Sequence, residues 1–235
     1  MNEMTRVALV GSTGLIGRRV IEISSAGQDV RIVAIARRET PLPDGARMER
    51  FIATPERWGE VLEAVRPRAL ICALGTTWKK SGKDEAAFRA VDQDLVVATA
   101  EAAKAAGISN LVVVSSVGAD VRAKNFYLSV KGEVEQQLTQ IGFKRLDILR
   151  PGLLKGPREN DLRWAEKFGI LASPVVDPFL SGKWAGYRSI DADLVAEAAL
   201  GLALRRAAGR FVHNNDGLRR ASREWRQREA RFAVE

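Results

Sequence analysis

Six short apolar runs lie between Arg6 and Leu149, and four of the five intervals between them carry helical spacing. The runs are Arg6 to Val10, Val30 to Ala36, Met48 to Ile52, Ala69 to Leu74, Asn110 to Ser115 and Arg145 to Leu149. Their apolar character, clearest in Arg6 to Val10, reads as strands buried on both faces. The helical stretches are Leu15 to Ala26, Pro55 to Val65, Glu85 to Ala106 and Leu128 to Ile141. Gly27, Gly107 and Gly142 stop three of them, and Arg66-Pro67 stops the other. Strands that alternate with helices of this length require crossover connections, hence an α/β fold with a doubly wound parallel sheet and helices on both faces. The alternation breaks after Pro151. Gly152 to Tyr187 is irregular and reads as a lobe over a ligand; Ala192 to Arg206 is helical and Arg210 to His213 a short strand. The expectation is one domain over residues 1–235, with 1–151 as its core and 152–235 as a small substrate lobe with a basic tail.

Composition narrows the class. The chain has 235 residues, 46% of them apolar, enough for a sizeable core. One cysteine, Cys72, excludes an intramolecular disulfide and argues for a reducing compartment. No apolar run has the roughly 20 residues of a membrane span, and no leader-like pattern precedes the first strand. The expected location is cytoplasmic. The net charge of +8 leaves nucleic acid, an anionic membrane surface or a phosphorylated ligand as partners.

Gly11, Ser12, Thr13, Gly14, Leu15, Ile16 and Gly17 join the first strand to the first helix with G-x-x-G-x-x-G spacing. The first glycine permits a tight turn. The second lets a pyrophosphate approach the backbone, and the third lets helix and strand pack closely. The helix N-terminus adds unpaired N–H donors and partial positive charge. After an apolar strand and before a helix, this loop predicts dinucleotide binding. Where an NAD enzyme carries a carboxylate for the ribose hydroxyl, at the end of the second strand, this chain has Arg37 and Arg38. A guanidinium clamps a 2′-phosphate that a carboxylate would repel, so the expected cofactor is NADP(H).

Tyr127 and Lys131 are four residues apart at the start of the helix after the fifth strand, hence on one helix face. An ammonium beside a phenol favours the phenolate, giving a general acid/base. Ser115-Ser116 ends the fifth strand at the carboxyl edge of the sheet, where open α/β folds bind ligands. A hydroxyl there can hold a substrate oxygen.

With these motifs the chain resembles the short-chain dehydrogenase/reductase superfamily in its atypical branch, and is similar within it to the Tat-interacting-protein group of oxidoreductases. The resemblance runs from Val7 to Arg158. Its further carriers are Cys72 to Thr77, Val91-Asp92, Ser115 to Ala119, Asn125-Phe126-Tyr127, Val130 to Glu135 and Arg150-Pro151-Gly152. It implies a Rossmann-type fold, a nicotinamide cofactor and Ser116, Tyr127 and Lys131 as the catalytic set, Ser116 being the second of its pair. It also implies that Leu74, Gly75 and Thr76 line the cofactor and that Pro151 and Gly152 pass near the nicotinamide. The chain departs from the pattern twice. Asp92 stands near the place of an asparagine that serves relatives as a fourth catalytic residue. Phe51-Ile52-Ala53 lacks the usual aspartate near the adenine, leaving that contact to backbone.

Other features point elsewhere. Cys72, inside an apolar strand, reads as core. His213, the only histidine, has no metal-ligand spacing around it, so no metal is expected. Lys79, Lys80 and Lys83 fall in a loop on the ligand side, and Trp164 and Trp184 flank the irregular lobe. The Arg219 to Arg231 run holds six arginines against two glutamates, +4 of the +8, and reads as a solvated or docked helix. Arg37 and Arg38 take another +2, so nucleic acid is disfavoured as a partner. The expected function is an NADP(H)-dependent oxidoreductase acting on a small-molecule carbonyl or alcohol. The alternatives are an NADP(H)-sensing regulator without turnover and a nucleotide-sugar epimerase-like enzyme. Monomer and homodimer both stay open.

Overall fold

The computed structural model describes residues 4–27, 29–39, 48–78, 81–156 and 188–232. Seven parallel strands form one sheet in the order β3-β2-β1-β4-β5-β6-β9. They are β1 (Thr5–Val10), β2 (Val30–Ala36), β3 (Glu49–Ile52), β4 (Ala69–Cys72), β5 (Asn110–Val114), β6 (Arg145–Leu149) and β9 (Gly209–His213). A separate parallel pair joins β7 (Leu154–Lys155) to β8 (Ile190–Asp191). The main order reverses between β1 and β4, which opens a crevice at the carboxyl ends of those strands. This is the doubly wound, Rossmann-like sheet expected from the alternation.

Both faces are covered. Val7 and Leu9 of β1 face a layer made by α1 (Leu15–Ala26), α6 (Ala192–Ala203) and α7 (Asn215–Phe232). Ala8 and Val10 face the opposite layer of α2 (Trp58–Val65), α3 (Glu85–Arg89), α4 (Leu95–Ala105) and α5 (Phe126–Ile141). Val7 to Val10 are all buried, which is why this part of the run carries no polar alternation. Local signals set the helix ends. The Asp84 and Asn125 side chains accept from backbone N–H groups of α3 and α5, and Gly142 ends α5 with a left-handed φ of 76°. Arg66 takes the left-handed cap of α2 with φ 48° ahead of Pro67.

Glu85 to Ala106 is not one regular helix. A π-helical segment, Ala90–Asp94, separates α3 from α4 and holds Asp92 with 1% exposure. Such segments insert a residue into the helical repeat and often accompany function. The expected strand to Leu74 stops at Cys72, after which the chain leaves the sheet.

The C-terminal charge run is a docked helix. Leu218, Ala221, Ser222 and Trp225 of α7 are buried, mainly against α6. Gly201 of α6 lets the helices approach, since a Cβ there would lie 3.3 Å from the Trp225 Cβ. Arg226 pairs with Glu197, Arg228 with Asp29, and Glu224 with Arg205. From residue 157 to 187 the irregular stretch, with Trp164 and Trp184, lies outside the described residues, as do Lys79 and Lys80. Among the described residues no helix is long and apolar enough to cross a membrane.

Candidate active site

The glycine loop sits at the sheet's reversal point. Gly11 has φ +85°, and a Cβ on it would fall 2.3 Å from the Ala73 carbonyl oxygen. A Cβ on Gly17 would fall 2.2 Å from the Gly11 oxygen. Only glycine fits either place without backbone movement. The loop closes through the Gly14 N–H, which donates to the Gly11 carbonyl at 3.0 Å. No side chain caps α1, and its first turn holds no carboxylate. Its leading N–H groups and positive dipole end therefore suit a pyrophosphate. Thr13 is exposed and Leu15 half-buried, whereas Ser12 and Ile16 are buried, with Ile16 in the core. Past the end of β2, Arg37 and Arg38 are exposed and pair with no described residue.

On the other side of the crevice, α5 carries Tyr127 and Lys131 one turn apart. The Lys131 ammonium lies 2.9 Å from Asp92 Oδ1, with side-chain exposures of 6% and 1%. It also lies 5.9 Å from the centre of the Tyr127 ring. Burial pushes the Lys131 pKa down, but the charges of Asp92 and Tyr127 and the hydrogen bond to Asp92 outweigh it and hold the value above normal. Lys131 is thus a buried, persistent cation. The other Asp92 oxygen accepts the Thr76 N–H at 2.6 Å, so one carboxylate ties the Leu74–Gly75–Thr76 loop to the lysine. Tyr127 is half-buried, its ring edge-on to Phe88 with 5.8 Å between centres.

The two serines separate. Ser115 is buried and its hydroxyl donates to Glu135 Oε1 at 2.5 Å. Ser116 is half-buried, its hydroxyl donating to the neighbouring Val117 carbonyl at 3.2 Å. The N–H of Ser115 bonds the Leu149 carbonyl at 2.7 Å, and that of Val117 bonds the Pro151 carbonyl at 3.0 Å. These bonds run the Ser116 and Pro151-Gly152 segments side by side. The Gly152 N–H donates to Asn215 Oδ1 at 2.9 Å.

Sequence reading missed two carboxylates here. Both lie in segments that carry the resemblance, Asp92 as a departure from the pattern and Glu135 four residues after Lys131, but the sequence reading gives neither a role in the site. Cys72, buried in β4, has its thiol pushed up to about 11 by burial, as a core residue should. His213 Nε2 lies 2.8 Å from Asp147 Oδ1 on the next strand.

A family model described as NAD(P)H-binding matches residues 11–169, the glycine loop included. The chain belongs to this NAD(P)H-binding family. The fold is similar to that of MoeE5 in complex with UDP-glucuronic acid and NAD (TM-score 0.67, 18% identity, 89% of this chain and 75% of that one). It is also similar to the UDP-N-acetylglucosamine 4-epimerase from Bacillus cereus (TM-score 0.62, 17% identity, 92% and 82%). Among curated proteins, the mitochondrial protein fmp52 of Emericella nidulans is 33% identical over 216 residues, 88% of this chain and 90% of its own. FMP52 of Candida albicans is 29% identical over 204 residues, 83% and 86%. These relatives are named mitochondrial, which overturns the cytoplasmic location expected from the sequence. A single buried cysteine speaks to disulfides and carries no address.

Proposed function

We propose that this NAD(P)H-binding protein is an NADP(H)-dependent oxidoreductase of the short-chain dehydrogenase/reductase type. The observation that carries the reading is the buried Lys131–Asp92 pair one helical turn from Tyr127, across the crevice from the glycine loop. A lysine is rarely buried unless paired, and here its charge is kept beside a tyrosine at the ligand-binding edge of the sheet. When bound, the cofactor supplies or accepts the hydride. Tyr127 gives its phenolic proton to a carbonyl oxygen, or takes one from an alcohol. Lys131 stabilises the resulting phenolate by its charge, and Asp92 keeps the ammonium in place. Ser116 holds the substrate oxygen with its hydroxyl. Arg37 and Arg38, exposed and without ion-pair partners among the described residues, take the 2′-phosphate.

A second reading, a nucleotide-sugar epimerase-like enzyme, draws on the solved neighbours whose titles name UDP-sugars. One assay separates the two. The purified protein is given NADPH or NADH with a panel of aldehydes, ketones and quinones, and separately UDP-glucose with NAD. The oxidoreductase reading expects loss of nicotinamide absorbance with a carbonyl and a preference for NADPH. Interconversion of the UDP-sugar without net cofactor change would favour the epimerase. Tight NADPH binding with no turnover in either arm would favour a sensor.

A further inference from the structure

The Tyr127–Lys131 helix face continues to a third polar residue. Glu135 lies one turn beyond Lys131, with 3% exposure. Its Oε1 accepts from the Ser115 hydroxyl at 2.5 Å and from Arg150 Nε at 2.9 Å. Its Oε2 accepts from Arg150 Nη2 at 2.5 Å. The Arg150 guanidinium is held charged by this carboxylate, the hydrogen bond being the larger cause. Such two-pronged, charge-assisted contact fixes orientation as well as distance.

The sequence neighbours of these partners are the point. Ser115 immediately precedes Ser116. Arg150 immediately precedes Pro151 and Gly152. The exits of β5 and β6 are already bonded to each other through Ser115 to Leu149 and Val117 to Pro151. Glu135 therefore anchors both exits, through one residue each, to the helix that presents Tyr127 and Lys131. We infer that Glu135 is a positioning residue: it sets the Ser116 hydroxyl and the Pro151-Gly152 edge relative to the Tyr127 phenol. The inference rests on the oxidoreductase reading above for the roles of Ser116 and Tyr127. A carboxylate serving only to stabilise the fold would have no need to bind the residue beside each of two site segments.

Two variants and two readouts test it. Ser115→Ala removes one hydroxyl and keeps the Glu135–Arg150 pair, so it folds even where Glu135→Gln does not. For Ser115→Ala, kcat should fall by about 10- to 100-fold, the range for a misplacement of an ångström at a reacting group. KM and NADPH affinity should stay within about twofold, because the glycine loop is untouched. Ser115→Thr, which restores a hydroxyl, should recover most of kcat. Independently of turnover, amide hydrogen exchange in NADPH-bound Ser115→Ala should accelerate at 115–118 and 152–153 and not at 11–17. Wild-type kcat in folded Ser115→Ala, or unchanged exchange in both exit segments, would overturn the inference. Failure of the underlying reading would show differently, as turnover retained by Tyr127→Phe whatever Ser115→Ala does.

Discussion

At the residue scale, the proposed chemistry depends on a few charges whose surroundings can be altered one at a time. Asp92→Asn keeps the Thr76 hydrogen bond but removes the carboxylate facing Lys131. Burial, the largest influence on the lysine, then acts nearly alone and its pKa falls below the ordinary 10.5. In the wild type the raised pKa means the ion pair stabilises fully below about 10.5 and is lost as pH rises through the folded value. In the variant the lysine is strained while charged. The stability deficit should be largest near neutrality and shrink above about pH 10. Urea melts across that range check it, and a pH-independent deficit would count against the pair. Arg37→Ala with Arg38→Ala should weaken NADPH binding at least about tenfold while leaving NADH nearly unaffected, the loss of a charge-assisted phosphate contact. Titration by nicotinamide fluorescence reads both, and equal losses would remove the 2′-phosphate role.

At the element scale, the sheet carries its own buried charges. Arg145 and Asp147 of β6 are 2% and 0% exposed and bond through Nε at 2.6 Å and Nη2 at 2.8 Å. The guanidinium also stacks 4.2 Å from the Phe211 ring of β9, and His213 closes on Asp147. Asp147→Ala leaves the arginine buried and unpaired, and should cost about 3–5 kcal/mol in chemical denaturation. A loss under 1 kcal/mol would mean the arginine finds water. Periodicity read these strands and helices well: α1, β2 and β6 have the bounds expected from their apolar runs and stop signals. It could not see the π-helical segment at Ala90–Asp94, because one extra residue leaves the apolar pattern of an Ala-rich helix almost unchanged. Nor could it pair Asp92 with Lys131 or Glu135 with Ser115. Those contacts join residues 39 and 20 positions apart, and spacing along one element tells which face a side chain takes, not what meets it.

At the scale of the whole molecule, the densest charge run lies on the exposed face of a docked helix, and two of its arginines hold ion pairs to other parts of the chain. The arginine-rich α7 packs a buried stripe against α6; its Arg226 pairs with Glu197 and its Arg228 with Asp29, while its Glu224 pairs with Arg205. Trp225→Ala, in that stripe, should cost about 3–5 kcal/mol and lower Tm by roughly 10 °C. A calorimetric Tm within about 2 °C of wild type would show that α7 is not integral to the core. Arg37 and Arg38 are exposed just past the end of β2, and the crevice between the glycine loop and α5 is where the account places its chemistry. The most direct test of that placement is the rate of NADPH oxidation by Tyr127→Phe beside the wild type, on whichever carbonyl the wild type reduces fastest. Loss of about 10²- to 10⁴-fold in kcat with NADPH affinity unchanged is the predicted result. A variant that turns over at the wild-type rate would contradict the account.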